Sequence, residues 1–203
     1  MPAKNQDLHG SVPETCSVAL LLIDVINDLE FEGSEALARQ VLPMAQRIAE
    51  LKRRAKAAGI PVIYVNDNFG RWKSDFRRVV EHGLHDGVKG EELVRILQPD
   101  DDDYFVLKPK HSAFYATTLD TLLTYLGART LILTGIAGNI CILFSANDAY
   151  MRDYQLVVPA DCTISNTAEE NAHALEQIAR VLKADITESV QLDLRGLLRI
   201  MTD

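Results

Sequence analysis

Three side chains of this sequence, a thiol, a carboxylate and an ammonium, together have the chemistry of a nucleophilic hydrolytic site. Each stands where an apolar run of the sequence ends, and they are Asp24, Lys108 and Cys141. If those runs are parallel strands, their carboxyl ends meet at one sheet edge, so the three side chains converge there. Cys141 also begins a helical pattern, and the positive end of a helix dipole favours the thiolate form of a cysteine.

Each of these residues also has an ordinary structural interpretation. An isolated cysteine commonly packs as a small apolar residue. An aspartate after a strand commonly caps or turns the chain, and a lysine there is commonly solvated. Their shared position at predicted strand ends is what favours a chemical role.

The elements that must position these residues follow an alternating pattern. Short β-rich apolar runs alternate with helical patterns, which indicates βαβ units and a mostly parallel sheet with helices on both faces. The predicted fold is therefore an α/β three-layer sandwich of the Rossmann-like type with roughly six strands. The expected strands are 18–23, 61–65, 104–107, 130–134, 155–158 and a short sixth strand near Ile186.

Two predicted helices have recognisable ends. The first opens near Ser34 and stops before Gly59, and Pro43 is expected to kink it or to displace its start. The second opens at Thr167, whose hydroxyl is expected to form a capping box with Glu170. The inward face of the second helix is predicted to consist of Ala174, Ile178, Val181 and Leu182.

Composition limits the partners of this chain. Its 203 residues are 47% hydrophobic, which suits a single domain over residues 1–203 with a sizeable core. The formal net charge of −8 disfavours nucleic acid or a membrane as a partner, because both require clustered lysine and arginine to neutralise phosphate. No apolar run approaches the ~18 residues of a membrane span or resembles a signal peptide, so we expect a cytoplasmic protein with a small-molecule substrate.

The three cysteines, Cys16, Cys141 and Cys162, include no Cys-x-x-Cys pair. This count and spacing fit neither a disulfide framework nor a structural zinc site. We therefore expect reduced thiols, with Cys16 and Cys162 in structural positions.

The longest poorly patterned stretch covers residues 66–90. It mixes aromatic and basic side chains, Trp72 among them, and connections of this length are often lids or binding loops. The stretch fits a pocket wall and an interface with a neighbouring subunit equally well. His82 and His85 within it are more typical of surface residues than of metal ligands, because no third ligand accompanies them.

Three segments resemble the motifs of the isochorismatase-like cysteine hydrolase superfamily, which includes nicotinamidases, N-carbamoylsarcosine amidases and ureido-acid hydrolases. They are Leu21-Leu22-Ile23-Asp24-Val25-Ile26-Asn27-Asp28, Lys108-Pro109-Lys110-His111-Ser112-Ala113-Phe114 and Gly135-Ile136-Ala137-Gly138-Asn139-Ile140-Cys141. Residues 145–150 and 154–161 also fit the family pattern, so the resemblance extends from about residue 17 to about residue 185.

We also expect a homo-oligomer, either a dimer or a tetramer.

The resemblance implies that Asp24, Lys108 and Cys141 are the catalytic residues. Lys110 is the weaker candidate for the lysine, because the family spacing places the catalytic one four residues before Ser-Ala-Phe. The resemblance further implies a cis peptide between Ile136 and Ala137. It also implies an oxyanion hole formed by the backbone N–H groups of Ala137 and Cys141.

The sequence departs from the family pattern after the second predicted strand. Nicotinamidases carry an Asp-x-His pair and a further histidine there, whereas residues 66–68 are Asn-Asp-Asn. Because imidazole ligands are missing, we expect no metal and no other cofactor. Lys110 and His111 either contact substrate or face solvent. The candidate substrate contacts are Phe31, Asn66, Asn68, Trp72 and Phe114.

The predicted reaction is hydrolysis of a small amide or ureido C–N bond through a thioester. Asp24 would be the general base, Cys141 the nucleophile and Lys108 the group that stabilises the thiolate. One alternative is isochorismatase-type vinyl-ether hydrolysis, in which the aspartate acts as the acid and the cysteine can be dispensable. The other is a non-catalytic binding or regulatory protein on the same fold, because fold does not fix function.

Overall fold

The computed structural model describes residues 15–31, 34–68 and 75–199. A six-stranded sheet lies at its centre, with strand order β3-β2-β1-β4-β5 and with β6 paired to β4. All strand pairings are parallel, which confirms the predicted α/β class. The strands are β1 (Val18–Ile23), β2 (Val62–Asp67), β3 (Tyr104–Lys108), β4 (Thr130–Ile136), β5 (Gln155–Val157) and β6 (Thr163–Ile164).

Helices cover both faces of this sheet. They are α1 (Ser34–Ala57), α2 (Phe76–His85), α3 (Glu91–Ile96), α4 (Leu119–Leu126), α5 (Leu143–Tyr150), α6 (Ala168–Leu182) and α7 (Leu194–Arg199). A single π-helical turn, Gly138–Ile142, leads into α5. Two short 3₁₀ turns, Ala160–Cys162 and Ser189–Gln191, complete the described elements.

The central strand β1 shows why the sheet needs two helical layers. Side chains alternate across a strand, and every residue of β1 is apolar and buried. Val18, Leu20 and Leu22 pack into the core beneath α1, α2 and α3. Ala19, Leu21 and Ile23 pack into a second core beneath α4 and α6.

The strand register brings four strand ends to one edge of the sheet. Ile23 of β1 pairs with Val65 of β2 on one side and with Gly135 of β4 on the other. Lys108 at the end of β3 pairs with Asp67 at the end of β2. The residues that follow β1 and β4 are therefore neighbours of Lys108 at the carboxyl edge.

One predicted strand is misplaced, and one of the two effects expected of Pro43 is absent, although the predicted start of α1 near Ser34 is correct. The sixth strand is Thr163–Ile164, whereas the chain near Ile186 contributes only an isolated bridge between Val157 and Asp185. Pro43 lies inside α1 and does not displace its start, which is Ser34.

The predicted inward face of α6 is correct except at one position. Thr167 and Glu170 form the expected capping box, and residues 174, 178 and 182 are buried. Val181 is 52% exposed, because a position one residue before the 174-178-182 line lies about 100° around the helix.

No helix of the described ranges is both long enough and apolar enough to cross a membrane.

Candidate active site

Asp24 and Lys108 form a buried ion pair at the carboxyl edge of the sheet. Oδ2 of Asp24 lies 2.8 Å from Nζ of Lys108, and its Oδ1 accepts a 2.7 Å hydrogen bond from the N–H of Asp67. Asp24 directly follows β1 with a φ of 53°, a conformation that aspartate enters more readily than most L-residues. The carboxylate is thus fixed by two neighbouring strands.

The thiol of Cys141 completes the group that the sequence predicted at this edge. Nζ of Lys108 lies 3.6 Å from Sγ of Cys141, and the same ammonium donates to the carbonyl of Lys110 at 3.2 Å. Lys108 has no exposed surface, whereas Cys141 is partly exposed. A substrate can therefore reach the sulfur, while the ion pair lies behind it.

Burial is the largest single influence on the pKa of each of these two groups. It raises the pKa of the Asp24 carboxyl, although the Lys108 ammonium acts in the opposite direction. Burial also acts to lower the pKa of Lys108, but the charge and hydrogen bond of Asp24, together with the other acidic groups around the ammonium, outweigh it, so that pKa is raised. Lys108 therefore stays a cation at neutral pH.

Burial and a neighbouring carboxylate oppose the effect that the helix N-terminus is expected to have on the Cys141 thiol. Burial raises the pKa of the Cys141 thiol to about 12, and the nearby Asp24 carboxylate adds to this effect. Lys108 acts in the opposite direction but is outweighed. The resting residue is a protonated thiol, so it requires a base before it can attack.

The turn before Cys141 is built from backbone geometry that only small residues allow. The peptide bond between Ile136 and Ala137 is cis. Gly135 has a φ of 121°, and a Cβ there would lie 2.0 Å from the carbonyl oxygen of Ile23. A Cβ on Gly138 would lie 2.2 Å from Oδ1 of Asn171 in α6. The glycines thus allow the turn to lie directly against β1 and α6.

A polar network holds the same turn from the side of α6. Ser165 accepts a hydrogen bond from the N–H of Asn139 at 3.0 Å and donates to Oδ1 of Asn171 at 3.1 Å. Asn171 in turn donates to the carbonyl of Thr163 at 3.1 Å. Sequence patterns gave no signal for this network, because its members come from separate elements.

A second network fixes the loop after β3 to α5. Ser112 donates a hydrogen bond to Asp148, and Ser145 accepts one from the N–H of Ala113 at 2.9 Å. Ser145 also donates to the carbonyl of Cys141 at 2.6 Å. Ser145 therefore connects the loop that follows Lys108 with the backbone of the thiol-bearing residue.

Two of the predicted substrate contacts have structural positions instead. Asn66 has no exposed surface, and its side-chain amide bonds to both the N–H and the carbonyl of Ile26, which fixes the loop after Asp24. Phe114 is 5% exposed and packs beneath the guanidinium of Arg152, 4.8 Å from its ring centre. Neither side chain presents surface to a substrate, because the core and the loop after β1 already cover them.

The other predicted substrate contacts occupy different surroundings. Phe31 is 41% exposed in the loop between β1 and α1. Asn68 is 8% exposed, and its N–H donates to the carbonyl of Lys108. Trp72 lies outside the described residues.

The described residues at the end of β2 do not fit a metal site of the kind found in nicotinamidases. The amide of Asn66 is used by Ile26, and Oδ2 of Asp67 lies 3.7 Å from the Lys108 ammonium. A divalent metal needs several nitrogen or oxygen ligands that are not engaged elsewhere.

The imidazole of His82 is another candidate metal ligand in this region. Both of its ring nitrogens already contact carboxylates, those of Asp86 and Asp28.

An acidic group lies elsewhere in the described ranges and already has a cation. Asp100, Asp102 and Asp103 are close enough together to hold an ion. The ammonium of Lys56 lies 2.8, 2.5 and 3.1 Å from their oxygens, respectively. Lys56, together with Lys52, which pairs with Asp100 and Asp103, therefore offsets most of the negative charge of this cluster.

Two residues near the thiol were not assigned a role from the sequence. Asp67 ends β2 and lies beside Lys108, and its position at a strand end was the available signal. Nδ1 of His111 lies 3.9 Å from Sγ of Cys141, whereas the sequence left His111 between substrate contact and solvent exposure.

Comparison with known proteins matches most of this chain to one family. The model of the Isochorismatase domain matches residues 18–189. An uncharacterized isochorismatase family protein, YaaI of Bacillus subtilis (strain 168), is 45% identical over 174 residues, which are 86% of this chain and 95% of that protein. A solved isochorismatase family protein from Desulfovibrio vulgaris subsp. vulgaris str. Hildenborough has a TM-score of 0.71 at 27% identity, covering 88% of this chain and 97% of that chain.

Two relatives carry names that state a reaction. A ureidoacrylate amidohydrolase, RutB of Methylorubrum extorquens, is 34% identical over 144 residues, 60% of this chain and 57% of RutB. The isochorismatase of Bacillus subtilis (strain 168) is 31% identical over 165 residues, 79% of this chain and 53% of that protein. The chain thus spans little more than half the length of either relative.

Proposed function

Because the chain belongs to the isochorismatase family of hydrolases, we propose that it cleaves an amide or ureido C–N bond of a small molecule through a thioester. The proposal rests on two contacts of the Lys108 ammonium. Its Nζ lies 2.8 Å from Oδ2 of Asp24 and 3.6 Å from Sγ of Cys141. This arrangement joins a base, a cation and a nucleophile.

The first half of the proposed reaction forms the thioester. Asp24 takes the S–H proton of Cys141, and the sulfur attacks the carbonyl carbon of the substrate. The oxyanion is held by the N–H groups of Ala137 and Cys141, donors of a kind worth roughly 3 to 4 kcal/mol of barrier each when preorganised. The C–N bond then breaks, and the leaving amine takes the proton that Asp24 holds.

The second half regenerates the enzyme. Water adds to the thioester carbonyl and gives one proton to Asp24, the C–S bond breaks, and the thiolate recovers that proton. The raised pKa of the Asp24 carboxyl supports this cycle, because a base whose pKa lies nearer the working pH both accepts and returns a proton readily. Lys108 remains charged throughout and offsets the negative charge that forms on sulfur.

The direct test is a screen of primary amides, ureido acids and N-carbamoyl amines for ammonia release. A substrate found in this way is then mixed with the enzyme and quenched in acid, and the adduct is sought by peptide mass spectrometry. We expect an acyl group on Cys141 and no turnover by Cys141→Ala.

The same variant separates the rival reactions. If the Cys141→Ala variant still hydrolyses a vinyl ether such as isochorismate, the chain belongs to vinyl-ether chemistry. The relative named isochorismatase is a precedent for that reaction. A chain that binds these compounds and turns over none of them would instead be a binding protein.

A further inference from the structure

The sulfur of Cys141 contacts a second nitrogen that the proposed mechanism does not use. Nδ1 of His111 lies 3.9 Å from Sγ, close to the 3.6 Å that separates Sγ from Nζ of Lys108. Lys108 is fully buried, whereas His111 is exposed. The sulfur therefore has one nitrogen neighbour in the core and one on the side from which a substrate arrives.

The position of His111 is fixed by its neighbours in the chain. The carbonyl of Lys110 accepts from the Lys108 ammonium at 3.2 Å, and the hydroxyl of Ser112 donates to Asp148. The imidazole also lies against the ring of Phe144 in α5, with 5.7 Å between ring centres. Anchors on both sides hold the imidazole beside the sulfur.

Charge around the sulfur explains why a second donor matters. The buried ammonium of Lys108 lies 2.8 Å from Asp24, 3.7 Å from Asp67 and 3.6 Å from the sulfur, so its one positive charge acts on three acidic groups. A thiolate formed there carries a charge that Lys108 offsets only in part. The contact of Lys110 with Lys108 is made by the backbone carbonyl of Lys110, which accepts a hydrogen bond from the Lys108 ammonium.

We propose that His111 is a further catalytic residue, whose Nδ1–H donates a hydrogen bond to the Cys141 sulfur and stabilises the attacking thiolate. This inference rests on the proposed function, since it takes Cys141 as the nucleophile. No bond is made or broken by His111. Its hydrogen bond strengthens as the proton of the thiol moves to Asp24.

The test measures thiolate formation without any substrate. The rate of Cys141 alkylation by iodoacetamide is followed by peptide mass spectrometry from pH 6 to pH 10 in the full-length enzyme and in three variants. His111→Phe keeps a ring against Phe144 and removes the donor. His111→Asn places an amide N–H near the position of Nδ1, and His111→Gln places it near that of Nε2.

We expect His111→Phe and His111→Gln to slow alkylation at pH 7 by about tenfold and to move the rate profile to higher pH, since a hydrogen bond to a charged group has roughly that effect. His111→Asn should stay close to the parent enzyme. Phe144→Leu, which removes the ring contact and keeps the imidazole, is the matched control and should change the profile little.

The outcomes are separable. If His111→Phe alkylates like the parent enzyme, the inference is wrong. If His111→Phe does not fold, the His111→Asn and His111→Gln variants decide. Equal alkylation rates of Cys141 in these two variants would contradict a hydrogen-bond donor at the position of Nδ1. A histidine-dependent profile in an enzyme that hydrolyses no amide would leave this inference standing and reject the proposed function.

Discussion

The ammonium of Lys108 lies 2.8 Å from Oδ2 of Asp24, and neither side chain is more than 8% exposed. A buried charge pair of this kind is costly to form and strongly coupled, so removing either partner leaves the other charge uncompensated. The pair lies directly behind a protonated thiol. Its two members should therefore have opposite effects on that thiol.

We predict that Asp24→Asn accelerates alkylation of Cys141 at pH 7, whereas Lys108→Met slows it. The carboxylate of Asp24 raises the pKa of the thiol and the ammonium of Lys108 lowers it, so each substitution should change the rate by several-fold in its own direction. Turnover should fall by at least about a hundredfold in both variants, because base and cation are each needed. The rate of iodoacetamide labelling measures the first effect, and the rate of ammonia release measures turnover.

The double variant provides the control for this prediction. Residues that act as one unit show losses that do not multiply, so turnover should fall much less than the product of the single effects. Retained turnover in Asp24→Asn would remove Asp24 as the base.

We predict that turnover does not depend on a metal. The side-chain amide of Asn66 is hydrogen-bonded to Ile26, and Asp67 lies beside the Lys108 ammonium, so the described residues at the end of β2 leave no ligand set for a divalent ion. Dialysis against EDTA or phenanthroline should change kcat/KM by less than about twofold, as metal-independent general acid–base chemistry requires. Loss of turnover that zinc, iron or manganese restores would contradict this.

A third prediction concerns stability at the amino end of the sheet. Nζ of Lys52 lies 2.6 Å from Oδ2 of Asp103, which is 1% exposed, and 3.0 Å from the hydroxyl of Tyr64. Lys52→Met should lower the free energy of unfolding by about 1 to 3 kcal/mol, because the buried carboxylate of Asp103 loses the ammonium of Lys52 and keeps that of Lys56. Urea denaturation followed by circular dichroism measures this.

Arg53→Met is the matched control, since it removes the next charge along the same helix. The pair of Arg53 with Glu50 is exposed at the surface, where solvent screens the charges and ion pairs contribute little to stability. Equal losses in the two variants would show that burial of the Lys52 pair has no special weight.

A fourth prediction is a pH dependence at His82. Hydrogen bonds with Asp86 and then with Asp28 raise the pKa of His82 above its ordinary value. The stabilisation is therefore fully present below the unfolded-state pKa near 6.5 and disappears as pH rises through the folded-state pKa. His82→Gln should cost about 0.5 to 1 kcal/mol at pH 5.5 and less at pH 8.5, as expected for a largely surface pair.

Urea denaturation at the two pH values tests this, with His85→Gln as the control on the same helix. A loss for His82→Gln that is larger at pH 8.5 than at pH 5.5 has the wrong sign and would refute the assignment of the charged form.

The sequence by itself determined the class of the fold and the place in it of three candidate catalytic side chains. Apolar runs alternating with helical patterns required a parallel sheet between helical layers, and residues that end such runs must lie at its carboxyl edge. Asp24, Lys108 and Cys141 were found in this way, because strand ends are local features of the chain. Short elements such as β6 were not, since two residues carry no period.

Only the tertiary structure decided how the site is protonated and which further residues share it. The helix at Cys141 suggested a thiolate, but burial and the charge of Asp24 raise the thiol pKa to about 12. The positions of His111 beside the sulfur and of Asn66 beneath the loop after β1 likewise depend on distances between separate elements. Desolvation and pairwise distances are properties of the packed chain, so no spacing within the sequence contains them.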